Sequence, residues 1–300
     1  MELGLVGLGM MGLNIRARLR ERGIAAIGYD AHVVDSDVSS LVALIEALPA
    51  PRAVWVMFPA GAQTRQVIGK LSRLLSPGDI VVDGGNSRFT DATVNAHILA
   101  EHGISYVDCG VSGGVWGRQD GYALMAGGDP ADIDRLMPIF DVLRSDGDRV
   151  DSFVHVGPVG AGHYAKMVHN GIESGLMQAY AEGYELLAAE ESVMNVLAVL
   201  RAWSKGAVVR SLVLDLLVEV LSGNSGLVSP AGVAEDSGEG RWTLEAAIAH
   251  AVPAPVISAA LFARFAARQG NSPAMRVVSA VRSQIREQAI RRCAEPVGIG

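Results

Sequence analysis

LGLVGLGMMG, the stretch at residues 3–12, decides the fold of this chain. The apolar run that opens it predicts a buried strand, and a helical pattern reaching residue 22 follows. Between them Gly7, Gly9 and Gly12 spell G-x-G-x-x-G, which permits a tight turn and close approach of a pyrophosphate to a helix N-terminus. The stretch therefore predicts a dinucleotide site, with contacts from Gly7, Leu8, Gly9, Met10, Met11 and Gly12.

An acidic residue closes the second predicted strand. Asp30 ends the segment IAAIGYD, eighteen residues beyond Gly12. A carboxylate there can accept hydrogen bonds from both ribose hydroxyls of NAD and would repel the 2′-phosphate of NADP. Ala31 and His32 supply no fixed positive charge, although His32 could contact such a phosphate weakly. We therefore expect NAD as the cofactor, while the simpler interpretation of a tight turn followed by an exposed Asp stays open.

The first half of the chain alternates short β-branched runs with helical or glycine-rich segments. Candidate strands lie at residues 3–6, 26–29, 53–58, 80–82, 105–107, 122–125 and 153–155. This alternation is typical of an α/β protein and predicts a Rossmann-like, doubly wound parallel sheet. Residues 1–158 are expected to form this NAD-binding domain.

Helical patterns dominate after the glycine-rich turn GPVGAG at residues 157–162. Candidate helices lie at residues 162–191, 193–207, 211–222, 243–251, 255–268 and 273–291. Little strand-type patterning follows residue 158, so the sequence predicts an all-α C-terminal domain at residues 159–300. We expect this domain to contact the substrate and a second copy of the chain.

Charge and cysteine usage exclude several classes of protein. The net charge of −7 argues against nucleic acid or an anionic membrane surface as a partner. No apolar run approaches the roughly 18 residues of a membrane span, and the N-terminus lacks the basic start of a signal peptide. Cys109 and Cys293 show no metal-ligand spacing, so we expect reduced thiols and no metal. The expectation is a cytoplasmic protein that acts on a small molecule.

Three glycine-rich signatures end predicted strands at the edge where a doubly wound sheet binds ligands. They are VMFPAG at residues 56–61, VVDGGNS at residues 81–87 and VSGGVWG at residues 111–117. The third presents consecutive backbone N–H groups beside a hydroxyl, a combination that suits a carboxylate. Each signature alone is better explained as a turn, whereas the three together predict a site. We expect cofactor contacts from Phe58, Pro59, Ala60 and Asn86, and carboxylate contacts from Ser112, Gly113 and Gly114.

Four polar residues share one face of the mostly apolar helix predicted after the turn. They stand at i, i+3, i+4 and i+7, and they are Lys166, His169, Asn170 and Glu173. An amine, an imidazole, an amide and a carboxylate are the groups that move protons around a bound small molecule. A solvated stripe is the alternative, but solvated faces usually repeat Glu, Lys and Arg. The stripe therefore indicates a catalytic face.

Four segments of the sequence resemble 6-phosphogluconate dehydrogenase, a family of the β-hydroxyacid dehydrogenase superfamily. They are DGGNS at residues 83–87, GVSGG at 110–114, KMVHNGIE at 166–173 and GEGRWT at 238–243. The length is similar to that of the short form of the family, which has a single helical repeat. The resemblance extends from the first glycine motif to about residue 282, and the KMVHNGIE segment is its most specific part.

The resemblance implies NAD-dependent oxidative decarboxylation of 6-phospho-D-gluconate to D-ribulose 5-phosphate and CO2 without a metal. It assigns Lys166 as the base that takes the C3 hydroxyl proton and Glu173 as the acid that protonates the enediol. It also implies a homodimer or homotetramer. The residues that would hold the substrate's carboxylate and hydroxyls are Asn86, Ser112, Gly113, Gly114, His169 and Asn170.

Phosphate recognition departs from the family pattern. Ser174 stands where the family commonly has a Tyr that touches the phosphate, and Ser237 and Glu239 replace two residues near the G-x-W-T element. Arg241 and Arg264 are the remaining candidates, because the planar guanidinium can bond two phosphate oxygens at once. We therefore expect weaker phosphate binding or additional use of unphosphorylated aldonates.

Two other functions stay open at this point. One is another β-hydroxyacid dehydrogenase, acting on 3-hydroxyisobutyrate or on imines, which shares the glycine loop and the S-G-G turn but not the full stripe. The other is a catalytically silent protein that binds NAD or a metabolite, suggested by Ser174, Ser237 and Glu239.

Overall fold

The protein is described by a computed structural model that covers residues 2–223, 227 and 237–294. Its contacts divide the chain into two compact units, Met1–Gly171 and Ile172–Gly300. The division falls inside a long helix, whereas the sheet ends at Gly157. The boundary predicted at residue 158 follows the end of the sheet and stays a prediction.

The first unit contains a seven-stranded sheet in the order β2-β1-β3-β4-β5-β6-β7. The strands are β1 (Glu2–Val6), β2 (Ala25–Tyr29), β3 (Ala53–Val56), β4 (Ile80–Asp83), β5 (Ser105–Ser112), β6 (Ala123–Gly127) and β7 (Phe153–Gly157). The helices between them are α1 (Met10–Glu21), α2 (Leu41–Ala47), α3 (Ala62–Leu74), α4 (Phe89–Ala100), α5 (Gly117–Asp120), α6 (Pro130–Leu143) and α7 (Arg149–Ser152). This architecture confirms the predicted Rossmann-like fold.

The sheet departs from a wholly parallel one after β5. Strands β1 to β5 are parallel, β6 pairs antiparallel with β5, and β7 pairs parallel with β6. The chain joins β5 to β6 through residues 113–122 only, which include the short helix α5. A parallel crossover needs about a dozen residues or more, so the short connection returns the chain in the opposite direction.

Buried apolar clusters lie on both faces of the sheet, which explains why its strands are nearly continuously apolar. In β3 the indole of Trp55 packs into one buried cluster, while Val54 and Val56 pack into the other. Successive side chains of a strand point to opposite faces, so β3 contributes to both cores. All four residues of β4, Ile80–Asp83, are buried, so the strand ends that carry the site rest on a rigid scaffold.

A buried arginine joins α1 to the connection that follows β5. Arg18 is 1% exposed, and its guanidinium donates to the carbonyl oxygens of Val142, Arg118, Gln119 and Arg144 at 2.8–3.1 Å. Burial lowers the pKa of Arg18. Because these carbonyls belong to separate segments of the first unit, one side chain ties the glycine-loop helix to the end of α6 and to α5.

Helix α8 (Ala161–Ala189) begins in the first unit and continues into the second. The second unit also holds α9 (Val196–Gly206), α10 (Leu212–Ser222), α11 (Glu239–Ala249), α12 (Pro255–Ala267) and α13 (Pro273–Ala294). Asn195 and Ser211 cap α9 and α10, because each side chain accepts from a backbone N–H of the first turn. Every regular element among the described residues of this unit is a helix, as predicted.

Helix α11 begins four residues earlier than the pattern predicts. The expected start was Thr243, whereas the helix starts at Glu239 after Gly238, whose φ of 109° is one that glycine adopts readily. The G-R-W-T segment therefore lies within the first turns of a helix. Among the described residues, no helix is long and apolar enough to cross a membrane.

Candidate active site

The glycine loop has the shape of a cradle for a phosphate group. A Cβ atom at Gly7 would stand 2.5 Å from the Met57 oxygen, and one at Gly12 would stand 2.0 Å from the Gly7 oxygen. A Cβ at Gly9, the N-cap of α1, would meet nothing within 4 Å. The two packed glycines therefore fold the loop tightly, and the third leaves open space at the N-terminus of a helix, as a pyrophosphate requires.

The side chains between these glycines differ in exposure. The Leu8 side chain is buried, Met11 packs against the core, and the Met10 side chain is 64% exposed. The Leu8 N–H donates to the Asp30 carboxylate at 2.8 Å. Backbone groups, rather than the apolar side chains of Leu8 and Met11, are what this loop offers to a cofactor.

Asp30 lies directly after β2 and is partly exposed. Its carboxylate accepts the N–H of Leu8 at 2.8 Å and the N–H of His32 at 2.9 Å. Each carboxylate oxygen has a second lone pair, so two further hydrogen bonds from ribose hydroxyls remain possible. The cations on the neighbouring helix α1 are already paired, because Arg16 and Arg20 both contact Asp37.

The ends of β3 and β4 meet beside the glycine loop. A Cβ at Gly7 would stand 3.3 Å from the Phe58 ring, and one at Gly85 would stand 2.4 Å from the Phe58 oxygen. The Pro59 oxygen accepts the Thr64 hydroxyl at 2.8 Å, which fixes the start of α3. Phe58 and Ala60 are half-buried and Pro59 is exposed. The loop at residues 58–60 therefore lies where the sequence predicts cofactor contacts.

Hydrogen bonds join two residues at strand ends, Asn86 and Ser112, to α8. Asn170 donates to the Asn86 side-chain oxygen at 3.3 Å, and the Ser112 hydroxyl lies 3.1 Å from His169 Nε2. Gly113 and Gly114 follow with φ angles of 152° and 57°. These conformations, which other residues rarely adopt, turn the chain sharply beside the Ser112 hydroxyl.

The amine of the stripe lies within reach of its imidazole. Lys166 Nζ is 3.4 Å from His169 Nδ1, which is 3.1 Å from the Asn170 side-chain oxygen. The structure thus brings together five predicted residues of the first unit, which are Asn86, Ser112, Lys166, His169 and Asn170. A hydroxyl, an imidazole, an amine and two amides in contact can orient a polyhydroxy acid and move its protons.

The second unit holds the remaining predicted residues. Glu173 lies further along α8 and is half-buried. Arg264 on α12 donates to the Ser174 hydroxyl at 3.1 Å, and the Arg241 guanidinium lies 4.5 Å from the centre of the Phe265 ring. Ser174 thus contacts Arg264, one of the two arginines predicted to bind the phosphate.

Sequence reasoning missed a buried acid that shapes the Asn86 loop. Asp83 is fully buried and accepts the Ser87 hydroxyl at 2.8 Å, the Tyr106 hydroxyl at 3.1 Å and the Gly85 N–H at 3.1 Å. Burial, together with the charge of Asp83, raises the pKa of Tyr106. The signal was present in the sequence, because an acid directly before G-G-N at the end of an apolar strand requires buried partners.

Neither cysteine nor metal chemistry is evident in the described part of the chain. Cys109 is a buried free thiol, and burial raises its pKa. The side chain of Cys293 lies outside the described residues. Among the described residues, no group of three or more His, Cys, Asp or Glu side chains could hold a metal ion.

Comparison with known families matches both halves of the chain. Residues 2–157 match the profile described as the NAD binding domain of 6-phosphogluconate dehydrogenase. Residues 162–292 match the profile described as the 6-phosphogluconate dehydrogenase C-terminal domain. The two profiles together cover the loops and helices described above.

Named relatives extend this match. The chain is 35% identical over 295 residues to the NAD(+)-dependent, decarboxylating 6-phosphogluconate dehydrogenase of Haloferax volcanii, covering 94% of this chain and 96% of that one. It is 34% identical to the decarboxylating enzyme of Synechococcus elongatus, covering 88% of this chain but 61% of that one. The second alignment is partial because that relative is longer.

Solved structures share the fold. The Plasmodium falciparum 6-phosphogluconate dehydrogenase, solved in apo form, with NADP+ and with 6-phosphogluconate, matches with a TM-score of 0.74 and 25% identity. That match covers 98% of this chain and 65% of the other. A 3-hydroxyisobutyrate dehydrogenase of Salmonella typhimurium matches with a TM-score of 0.74 at 23% identity, over 90% and 95% of the two chains. The latter likeness concerns the fold alone.

Proposed function

The chain belongs to the 6-phosphogluconate dehydrogenase family, and we propose that it converts 6-phospho-D-gluconate and NAD to D-ribulose 5-phosphate, CO2 and NADH. The observation that carries this proposal is the contact of Lys166 with His169, which in turn contacts Ser112. A neutral amine beside an imidazole is suited to take a proton from a hydroxyl, and the S-G-G turn next to it is suited to a carboxylate.

The proposed chemistry divides the proton transfers between two residues on α8, Lys166 and Glu173. Lys166 would take the C3 hydroxyl proton, and NAD held by the glycine loop would supply the acceptor for the hydride that leaves C3. The product is a β-keto acid, and Lys166 then protonates the ketone oxygen as the bond to the carboxyl carbon breaks and CO2 leaves. The electron pair of that bond forms the enediol. Glu173 would then protonate the carbon that carried the carboxylate, while Lys166 takes back the proton of the enediol hydroxyl, which restores the ketone of D-ribulose 5-phosphate. Electrons balance without a metal, because the ketone serves as the electron sink.

The residues around Lys166 are proposed to orient the substrate. Ser112, Gly113 and Gly114 would bind the carboxylate, while His169, Asn170 and Asn86 would bind hydroxyls. The 3.3 Å contact between Asn170 and Asn86 supports this assignment, because it links α8 with the segment after β4, which packs against the predicted cofactor loop at residues 58–60. A substrate held there by several hydrogen bonds presents C3 in one orientation.

NAD is the cofactor that we propose in preference to NADP. The glycine loop fits a pyrophosphate, and Asp30 would accept the ribose hydroxyls while repelling a 2′-phosphate. The pairing of Arg16 and Arg20 with Asp37 supports this preference, because it withdraws the nearest α1 cations from such a phosphate. The Haloferax volcanii relative is named as NAD(+)-dependent, whereas the Plasmodium falciparum structure contains NADP+.

Phosphate recognition is proposed to rest on Arg264, with Arg241 as a second contact. The Ser174 hydroxyl positions the Arg264 guanidinium, but a serine is too short to replace the reach of the usual tyrosine. One lost contact would cost roughly 1–3 kcal/mol, on the order of tenfold to a hundredfold in affinity. We therefore propose that gluconate is also oxidised, and a very large preference for 6-phosphogluconate in kcat/KM would contradict this.

A homodimer or homotetramer is proposed as the active assembly. Large apolar side chains of the second unit are exposed, among them Leu186, Val208, Ile248 and Phe262. Clusters of such side chains on a protein surface often mark contacts between subunits. Light scattering coupled to size-exclusion chromatography should give a mass of two or four chains. The cytoplasmic location stays a prediction from the sequence.

Steady-state assays with purified protein test the proposed reaction. NADH formation should be fastest with 6-phosphogluconate, slower with gluconate and slowest with 3-hydroxyisobutyrate, and kcat/KM should be higher with NAD than with NADP. Faster turnover of 3-hydroxyisobutyrate would favour another β-hydroxyacid dehydrogenase. Binding of NAD without turnover of any of the three acids would favour the silent binding protein.

A further inference from the structure

We propose that Asp108 on β5 is a positioning residue that sets the register of helix α8 against that strand and so places Lys166. This inference rests on the proposed function of Lys166. Asp108 is fully buried, and its carboxylate accepts the N–H of Gly160 at 2.6 Å and the N–H of His163 at 2.7 Å. None of the sequence motifs that predict the site assigns it a role.

The two N–H groups belong to the start of α8. Tyr164 donates to the Gly160 oxygen at 2.9 Å, which makes Gly160 the N-cap, and His163 stands in the first turn. First-turn N–H groups have no partner within a helix, and an N-cap side chain usually accepts from one of them. Gly160 has no side chain, so a carboxylate from a strand 52 residues earlier performs this task.

Glycines let the helix lie directly on the strand. A Cβ at Gly162 would stand 2.4 Å from the Met125 backbone oxygen and 2.8 Å from the Asp108 backbone oxygen. A Cβ at Gly110 would stand 2.5 Å from Lys166 Cβ. The stem of the catalytic lysine therefore rests on bare strand backbone, where one additional methyl group does not fit.

The contacts follow the same order along the strand and along the helix. Asp108, Gly110 and Ser112 share one face of β5, and they meet His163, Lys166 and His169 in that order. Two strand residues advance about 6.6 Å, whereas three helical residues advance about 4.5 Å, so the order of the contacts agrees while the rise along the two elements differs. Asp108 fixes one end of this series, and the bond between Ser112 and His169 lies at the other.

A second bond fastens the same turn to the neighbouring strand. His163 is 1% exposed, and its Nε2 atom lies 3.1 Å from the Asp83 backbone oxygen at the end of β4. The first turn of α8 is thus held to both β4 and β5. Loss of the Asp108 carboxylate would leave two buried N–H groups without an acceptor and free the helix to shift along β5.

The variant Asp108→Asn tests this role, with Asp129→Asn as its control. Asn keeps one acceptor but turns a donor toward the other N–H group. Asp129 caps α6 in the same unit by accepting the Ala131 N–H at 2.8 Å. We expect D108N to lower kcat by about tenfold to a hundredfold with the KM for NAD within about twofold, because misplacement costs rate rather than cofactor binding. D129N should leave both values within about twofold.

The rate of chemical acetylation of Lys166 reports on the surroundings of its amine without relying on catalytic turnover. Acetic anhydride modifies lysines, and mass spectrometry can compare half-buried Lys166 with the exposed Lys70 and Lys205 in the same sample. D108N should change the relative acetylation rate of Lys166 about threefold or more, whereas D129N should not. Should the wild type fail to oxidise 6-phosphogluconate, the proposed function fails, and the labelling still decides whether Asp108 positions Lys166.

Gly110→Ala serves if D108N does not fold. It keeps the Asp108 contacts and adds one methyl group beneath Lys166, so kcat should fall and Lys166 labelling should change with NAD binding retained. A folded D108N or G110A protein with wild-type kcat and wild-type Lys166 labelling would overturn the proposal. Parallel losses of kcat and NAD affinity in D108N, with unchanged labelling, would also overturn it.

Discussion

The two units hold their functional side chains in different ways. In the first unit, Lys166 and His169 stand on helix α8, whose start is hydrogen-bonded to buried strand ends. Glycines at the contact let this helix pack directly on strand β5. In the second unit, Arg264 is held by the hydroxyl of Ser174, and Arg241 lies exposed over an aromatic ring. Tight packing tolerates few substitutions. We therefore expect substitutions around Lys166 and His169 to cost more than substitutions around Arg241 and Arg264.

Removal of the Lys166 amine, the proposed base, should have the largest effect. Lys166→Met should lower kcat on the order of 10³-fold, because general acid–base catalysis at both steps is lost. Isothermal titration should give an unchanged NAD affinity, since the glycine loop is untouched. The exposed Lys205→Met is the matched control. Retention of more than a tenth of the wild-type kcat in K166M would show that the first unit does not supply the base.

Loss of the buried arginine tests the rigidity of the first unit. Arg18→Met removes the donor from four backbone carbonyls and should lower the free energy of unfolding by about 3–5 kcal/mol. Arg22→Met, which removes an exposed ion pair with Asp146, should change it little. Urea denaturation followed by circular dichroism measures both. Equal midpoints for the two variants would contradict the idea that the buried arginine ties the unit together.

Arg264→Gln tests the second unit. The change should lower kcat/KM for 6-phosphogluconate about tenfold to a hundredfold, because a charge-assisted contact to the phosphate is lost. For gluconate, kcat/KM should stay within about twofold. Arg268→Gln, at the end of the same helix, is the control. Equal losses for both acids would mean that Arg264 contributes to folding or to the chemistry rather than to phosphate recognition.

The smallest effect is expected at Ser174. Ser174→Ala removes one hydrogen bond to Arg264, worth about 0.5–1.5 kcal/mol, so KM for 6-phosphogluconate should rise about twofold to tenfold with kcat unchanged. Ser258→Ala, on the same helix as Arg264, loses only a bond to the Pro255 oxygen and should have no effect. An S174A protein whose KM equals that of the wild type would remove the serine from phosphate recognition.

Local patterns in the sequence predicted much of the fold and of the first-unit site. Glycine spacing predicted the loop at residues 7–12. Helical periodicity predicted that Lys166, His169 and Asn170 share one face of a helix, and the contact of Lys166 with His169 agrees with that prediction. The reversal of β6 was not predicted, because β5 continues to Ser112 instead of ending at residue 107, which shortens the connection to β6.

Residues that act through distant contacts left no local signal. Asp108 caps a helix 52 residues further along the chain, and nothing in the sequence near Asp108 or Gly160 indicates their partnership. Arg18 has the sequence context of an ordinary helix-surface arginine, yet it bonds carbonyls 100 or more positions away. Such roles depend on how the strands are arranged in three dimensions, so only a structure reveals them.

The ratio of CO2 to NADH formed from 6-phosphogluconate tests most directly whether the first unit carries out decarboxylating oxidation. Both products can be followed in one reaction with purified protein and NAD. We expect one CO2 for each NADH throughout the reaction, together with D-ribulose 5-phosphate as the organic product. NADH formed without CO2 would contradict it, because the Lys166 site would then oxidise its substrate without breaking the bond to the carboxyl carbon.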